Sequence, residues 1–467
     1  MTHYRARRAA WPPRDPRRIA YVVSRFPKLS ETFILREMDA LEALGWRIDV
    51  YPFIHHPEAV HHPEVARWLC RMDPRDTPGA IAWANLVWLA EAPWTLLALY
   101  GLTMRELWRG PGELGRGLVA VARAALWARH ARARGVAHIH AHFALHPAVA
   151  ALAVARLAGI TFSFTGHAHD IYRTQAMLGE KVRRAAFAVV ISRFLRDRYI
   201  APLVAPAALA RVRIVRCGVD TAAYERRDRG QADADARAGD GQERRARVRV
   251  LSVARLVPFK GLTHLVEACQ LLVAQGYDLR CEIIGDGELC AGLERQIAAA
   301  SLAGRVVLRG ARTQDEVREA LDGASLFVLP SIDAGHGDME GVPVSLMEAM
   351  ATGVPVVATR TGAVPELVED NVTGLLVDPS DAGALAIAVA RLADDAALAG
   401  RLGAAGRARV RHDFDLWRNV RLLHDLLGAA TGAAPMAEPG AEMDVVCAHA
   451  GGGHWEGWAS KSRCFHP

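Results

Sequence analysis

Two pairs of charged side chains carry the chemistry that this sequence offers. Glu340 and Glu348 stand eight residues apart in Asp338-Met-Glu-Gly-Val-Pro-Val-Ser-Leu-Met-Glu-Ala-Met350, and Arg255 and Lys260 stand five apart in Arg255-Leu-Val-Pro-Phe-Lys-Gly261. A guanidinium fork beside an ammonium suits a diphosphate. Such a pair neutralises a departing nucleoside diphosphate where another protein would use magnesium. The bland alternative is two exposed loop bases. The acidic stretch predicts a helix starting near Pro343, at the first helical position, where the missing N–H is not needed. The free amides of Val344 and Ser345 then make an anion site at a cleft mouth. Glu340 would lie on the loop at that mouth and Glu348 within the helix. Carboxylates beside an anion need donors, and sugar hydroxyls supply them. Read alone, the spacing equally suits a first-turn acid complementing the helix dipole and a solvated Glu348.

Other constellations are weaker. His167 and Asp170 sit in Ser163-Phe-Thr-Gly-His-Ala-His-Asp170, just past a strand ending at Thr165. His138, His140 and His142 alternate on one strand face; they suit zinc or a polar strand end on the cleft side. Asp233-Ala-Asp235 imitates a metal-binding D-x-D without strand context, and Cys447, His449, His454, Cys464 and His466 lack regular ligand spacing. Ser192 reads as a helix cap.

These residues need a scaffold. Strands are predicted at Ile19–Val23, Trp46–Phe53, Val136–Phe143, Ile160–Thr165, Ala186–Ile191 and Val212–Val215. Helices fall between them, one of them capped by Ser30. A second alternation begins at Val248–Ala254 and runs through Leu279–Ile284, Val306–Leu308, Leu326–Leu329 and Pro355–Ala358. Strands alternating with helices indicate parallel sheets covered on both faces, with ligands at the carboxyl ends of the strands. The predicted organisation is a flexible N-terminus (1–18), a Rossmann-like domain (19–217) and a second one (218–412). A flexible insertion (226–247) interrupts the latter. A helix (413–428) is expected to pack back on the first domain, followed by a disordered tail (429–467).

Composition sets the limits. The 467 residues suit two or three domains of ~100–200 residues, and the net charge is +6. Lysine occurs only at positions 28, 181, 260 and 461, the remaining 53 basic residues being arginine, as GC-rich coding would give. No dense basic stripe interleaved with aromatics appears, so nucleic acid is not expected as a partner. The apolar run Ile19–Val23 is too short for a secretory signal. Seven cysteines without a C-x-x-C pair read as reduced thiols in a cytoplasmic protein. Gly79–Met104 lacks Lys and Arg and carries Trp83, Trp88 and Trp94, but Asn85, Glu91 and Pro93 interrupt it as a membrane span. Arginines follow at 105, 109, 116 and 123. Core helices with a Trp-rich face and helices lying on an anionic membrane both fit.

In this order, the two charged elements resemble glycosyltransferase family four, the retaining enzymes typified by glycogen-synthase-like and sucrose-synthase-like proteins. Their E-x7-E signature is matched by Glu340 and Glu348, and their R-x4-K pair by Arg255 and Lys260. Gly285-Asp-Gly-Glu288, Gly362-Ala-Val-Pro-Glu366 and Gly374-Leu-Leu-Val377 extend the likeness. Ser24-Arg-Phe-Pro-Lys-Leu-Ser-Glu-Thr-Phe33 and the stretch ending at Asp170 look most like the colanic-acid and exopolysaccharide branch. The chain departs from many relatives at Phe26–Thr32, where they have a Gly-Gly loop, and at Pro343, where they have Gly. The resemblance implies an α/β GT-B fold, two Rossmann-like doubly wound domains facing across a cleft. It puts Glu348 on the ribose hydroxyls, Arg255, Lys260, Val344 and Ser345 on the diphosphate, and Glu340 on the transferred sugar. His167 would face that sugar and Asp170 would orient it. The implied reaction is metal-independent transfer from a UDP- or GDP-linked sugar, with retention. It uses no cofactor, and the acceptor is a lipid-linked saccharide at the inner face of the plasma membrane. A soluble acceptor, or a nucleotide-sugar-binding partner without turnover, fits the same residues.

Overall fold

Runs such as Arg18-Ile-Ala-Tyr-Val-Val23 and Leu326-Phe-Val-Leu329 are apolar on both faces. Strands of that kind belong in the middle of a helix-covered parallel sheet. The structure, a computed structural model, describes residues 11–27, 32–55, 65–69, 71–72, 76–224 and 248–434. Outside these lie the expected insertion 226–247 with Asp233 and Asp235, the Ser30 cap, most of the expected N-terminal segment and nearly all of the tail.

Among the described residues the strands form two six-stranded sheets. The first comprises β1 (Asp15–Phe26), β2 (Arg47–His55), β3 (Val136–His142), β4 (Thr161–Gly166), β5 (Phe187–Val190) and β6 (Val212–Ile214). Its order is β2-β1-β3-β4-β5-β6 and every pairing is parallel. The second comprises β7 (Val248–Val253), β8 (Leu279–Ile284), β9 (Val306–Leu308), β10 (Leu326–Leu329), β11 (Val356–Thr359) and β12 (Leu375–Val377). It is also parallel, in the order β12-β11-β10-β7-β8-β9. Both sheets turn back beside their first strand, the switch point at which open α/β sheets bind ligands.

The predicted elements differ from the observed ones mainly at their edges. β1 begins at Asp15, inside the segment expected to be flexible, because Asp15 pairs with Val136. The short edge strand β12 and the helix Ala382–Asp394 were not predicted; three residues are too few to show a period. The first domain's helices include α1 (Thr32–Ala43), α2 (Pro78–Glu91), α3 (Pro93–Leu107), α4 (Pro111–Ala133), α5 (His146–Ala158) and α6 (Leu178–Arg184). The second carries α7 (Leu262–Ala274), α8 (Val344–Ala351) and α9 (Ala396–Asp413). The last helix, α10 (Leu416–Thr431), runs past the expected boundary at residue 428. Its Leu416, Val420, Leu423 and Leu427 join the core that α1 forms with β1 and β2, so the last described helix packs on the first domain.

The three histidines of β3 do not form a solvated strand end. They are fully buried on the face beneath α1 and α10. Their hydrogen bonds have one consistent direction, set by the Thr161 hydroxyl donating to the Ala430 carbonyl at 3.1 Å. Thr161 then accepts from His138 Nδ1 at 2.7 Å, and Ser163 donates to His138 Nε2 at 2.6 Å. Ser163 accepts from His140 Nδ1 at 2.7 Å, and Thr165 donates to His140 Nε2 at 3.0 Å. Each neutral imidazole is satisfied without a second proton.

Burial holds His138 and His142 near a pKa of about 3, against ~6.5 in the unfolded chain. Because the folded value is depressed, the unfolded state binds more protons below pH 6.5. Stability is therefore complete above that pH and falls as the pH drops toward 3. Urea unfolding at about pH 7.5 and about pH 5 should show each of these histidines removing about 2 kcal/mol. His138→Gln should reduce that pH-dependent loss by one such increment; an unchanged pH dependence would contradict the neutral ladder.

Candidate active site

The loop from β10 to α8 meets the loop from β7 to α7 at the carboxyl ends of adjacent strands. Both cations of the latter loop lie over the Phe259 ring, with Arg255 Cζ 5.6 Å and Lys260 Nζ 5.2 Å from its centre. The Phe259 carbonyl accepts from the Ile332 amide at 2.8 Å, which ties the two loops together. Gly261 permits this approach: its φ is +62°, and a Cβ there would lie 2.0 Å from the Pro330 carbonyl oxygen. The result is a nearly buried ion pair. Lys260 Nζ lies 2.5 Å from Glu340 Oε2, which also accepts from Ser331 Oγ at 2.9 Å. The cation expected on the diphosphate and the carboxylate expected on the sugar thus hold each other. Arg255 remains exposed beside them.

Pro343 is not the first helical residue. Its φ of −74° and ψ of 123° make it the N-cap of α8. Met347 donates to the Pro343 carbonyl at 3.2 Å, so the amides of Val344, Ser345 and Leu346 precede the helical ladder. Val344 and Ser345 are partly exposed, and neither amide has a carbonyl partner in the ladder, so both are donors available to an anion.

Glu348 is buried rather than solvated. Its Oε1 accepts from Gln314 Nε2 at 2.9 Å and lies 3.5 Å from Arg36 Nη2 of the first domain. Gln314 also bonds the Tyr224 hydroxyl. Burial, then the Glu348 charge, pushes the Tyr224 phenol up. Arg36 Nη1 is buried without a hydrogen-bond partner among the described residues. Sequence reasoning missed Arg36, Gln314, Tyr224 and Ser331. Only Ser331, directly after a strand end and near Glu340, carried a local signal.

The first domain contributes the loop after β4. Asp170 accepts from the amides of Ala144, His167 and Ala168 at 2.5, 2.9 and 3.0 Å. These bonds hold Ala168 at φ +127°, a conformation costing about 1–3 kcal/mol for a residue other than glycine. Asp170 thus positions the His167 backbone, not its ring. The ring turns inward: Nε2 lies 2.9 Å from His142 Nδ1 and Nδ1 lies 3.8 Å from Cys217 Sγ. His142 Nε2 in turn meets Glu37 Oε1 at 3.1 Å, which also accepts from the Tyr21 hydroxyl at 2.7 Å. Burial, then His142, lowers His167 to about 3, and burial pushes the Cys217 thiol up to about 12. What His167 presents across the seam is its carbonyl, 3.3 Å from where a Cβ on Gly341 would stand. His167 remains partly exposed, and the expected contact of its side chain with a donor sugar is a matter for a donor-bound state.

Glu37, His140 and His142 offer three ligand atoms within 4.8 Å of one another. Every imidazole nitrogen among them already has a protein partner. Elsewhere along the seam, Tyr172 donates to the Glu340 carbonyl at 3.3 Å. Glu366 accepts from the Arg193 and Phe194 amides at 2.9 and 2.7 Å, at a helix start that Ser192 also caps. Asp338 meets His169 and Arg173 at 3.3 and 3.5 Å. The two domains therefore close over the Lys260–Glu340 pair.

Parts of the chain are similar to known proteins. A family profile described as Glycosyl transferases group 1 matches residues 239–409. The amylovoran biosynthesis glycosyltransferase AmsK of Erwinia amylovora is 44% identical over 180 residues, 38% of this chain and 44% of that protein. The putative colanic acid biosynthesis glycosyltransferase WcaL of Escherichia coli is 43% identical over 182 residues, 38% of this chain and 45% of WcaL. A GDP-mannose-dependent phosphatidylinositol monomannoside mannosyltransferase of Mycolicibacterium smegmatis is 36% identical over 224 residues, 46% of this chain and 55% of that protein. The matched segments thus span about half the length of these curated relatives. Among solved structures, Anabaena HepE in complex with UDP superposes with a TM-score of 0.64 at 17% identity, over 88% of this chain and 100% of HepE. The chain therefore carries a glycosyl transferases group 1 domain within a GT-B fold.

Proposed function

We propose that the protein moves a glycosyl group from a nucleotide sugar to an acceptor hydroxyl, with retention at the anomeric carbon. The observation that carries this reading is the Lys260–Glu340 pair, with Arg255 beside it and the free α8 amides at the same mouth. A diphosphate brought there exchanges Glu340 for its own oxygens on Lys260, and Glu340 is released to accept sugar hydroxyls. Glu348, held between Gln314 and Arg36, offers carboxylate oxygens to the ribose. In the chemical step the bond from the anomeric carbon to the diphosphate oxygen breaks. The acceptor oxygen bonds to that carbon on the same face, and its proton passes to the departing phosphate. Arg255, Lys260 and the amides stabilise the charge that develops, so the reading uses no metal. The relatives named for amylovoran and colanic acid biosynthesis, and the one named for a phosphatidylinositol mannoside, support a lipid-linked saccharide acceptor in surface-polysaccharide assembly at a membrane's inner face.

The test is incubation with UDP-, GDP- and ADP-sugars plus membrane extract, with nucleotide release as the readout. One donor should turn over; nucleotide binding without turnover on any donor would leave only a binding role. Lys260→Ala should lower kcat/KM by about 100-fold or more, and Glu348→Ala should raise the donor KM by about tenfold. Arg36→Ala separates two roles for the cross-domain arginine. If its open Nη1 meets the donor, nucleoside diphosphate binding weakens by about tenfold; unchanged binding would make Arg36 a partner of Glu348 alone.

A further inference from the structure

α2 and α3 meet at a 118° bend, and no single described helix is long and apolar enough to cross a membrane. Two tryptophans of this region are core residues: Trp88 is buried, with its indole donating to the Ala125 carbonyl at 2.8 Å, and Trp127 stacks on Tyr51. The others face outward. Trp94 is 81% exposed, Trp83 66% and Trp108 65%. Trp94, Leu97, Met104 and Trp108 follow helical spacing along one exposed stripe of α3 and its cap, and Leu86 and Leu89 extend the surface on α2. Leaving this much tryptophan in water is unfavourable for an isolated chain.

One step around α3 from this stripe lies a cavity of about 350 Å³, within the range of ligand pockets. Its floor is Leu99, Leu102 and Leu152, and its rim carries Arg105, Arg156 and Arg184. The rim is short of negative charge. Glu180 is shared by Arg183, Arg184 and Arg105 at 3.0, 2.8 and 3.5 Å, and Glu106 also meets Arg105. Arg156 is exposed, and among the described residues no carboxylate pairs with it. Arg109 adds a cation over the Trp108 ring at 5.2 Å.

We infer that this cavity binds the phosphate headgroup of an anionic phospholipid while the Trp94–Trp108 stripe enters the interfacial layer of the same leaflet. Indoles favour that layer, each nearby arginine adds attraction to anionic lipid, and the apolar floor suits the first carbons of an acyl chain. A second copy of the chain is the poorer occupant, since a two-fold contact would set the rim arginines against themselves. The inference rests on the proposed lipid-linked acceptor only for its purpose and deepens that reading by naming the surface that meets the membrane.

The experiment is sedimentation of the full chain with phosphatidylcholine vesicles and with vesicles in which part of that lipid is replaced by phosphatidylglycerol. The wild-type chain should bind the anionic vesicles. Arg156→Glu with Arg184→Glu should weaken that binding by about tenfold or more without altering binding of nucleoside diphosphate. Trp94→Ser with Trp108→Ser should weaken binding to both vesicle types. Glycerol phosphate in solution should not compete; complete competition would reduce the cavity to a soluble-anion site and overturn the proposal. Equal binding to both vesicle types, or a solution dimer that the tryptophan substitutions dissociate in a chain that ignores vesicles, would overturn it as well. Because no readout is donor turnover, these outcomes are separable from failure of the transferase reading.

Discussion

The site depends on one buried ion pair. Lys260 and Glu340 sit almost out of water, with Ser331 completing the carboxylate. Removing one partner from such a pair costs about 3–5 kcal/mol, because the other is left buried and uncompensated. A ligand can therefore separate them only if it supplies negative charge to Lys260 and hydrogen-bond donors to Glu340 together. A sugar joined to a diphosphate does both. On the proposed reading, the pair disfavours the half-ligands, a sugar without its phosphate or a free phosphate without its sugar, more strongly than an open pocket would.

The remaining architecture keeps that pair at a fixed seam. Two parallel sheets turn their carboxyl strand ends toward each other, which brings the β4 loop of the first domain against the β10 loop of the second. Asp170 spends its carboxylate on three loop amides, and the strain at Ala168 is the cost of bringing the His167 carbonyl up to Gly341. Gly362, with φ of +53°, allows the next loop to touch the Glu340 carbonyl. Behind the loop, the His167 ring leans on His142, which in turn meets Glu37.

What was legible in the sequence was what depended on near neighbours. Arg255, Lys260, Glu340 and the α8 amides belong to strand-to-helix loops whose geometry follows from hydrophobic period and turn residues. Arg36, Gln314 and Tyr224 were not legible, because their meeting at Glu348 is made by the packing of separate elements. The His167 ring direction was hidden for the same reason, its partner being on the neighbouring strand. Scarcity of lysine proved a weak signal: Lys181 is as rare as Lys260, yet it is buried on the Ala144 and Ala176 carbonyls. The tryptophans divide between core and surface by helical spacing: Trp88 is buried, while Trp83 on the same helix and Trp94 and Trp108 beyond the break are exposed.

The central claim is that Glu340 occupies Lys260 until a donor diphosphate displaces it. Calorimetric titration of UDP and GDP into the wild-type chain and into Glu340→Gln tests it most directly, because a nucleoside diphosphate has no sugar for Glu340 to hold. With Lys260 no longer neutralised, the nucleotide that binds should do so about tenfold more tightly in the Gln variant, the order of one charge-assisted hydrogen bond. Equal or weaker binding in a variant that remains folded at the titration temperature would contradict the account.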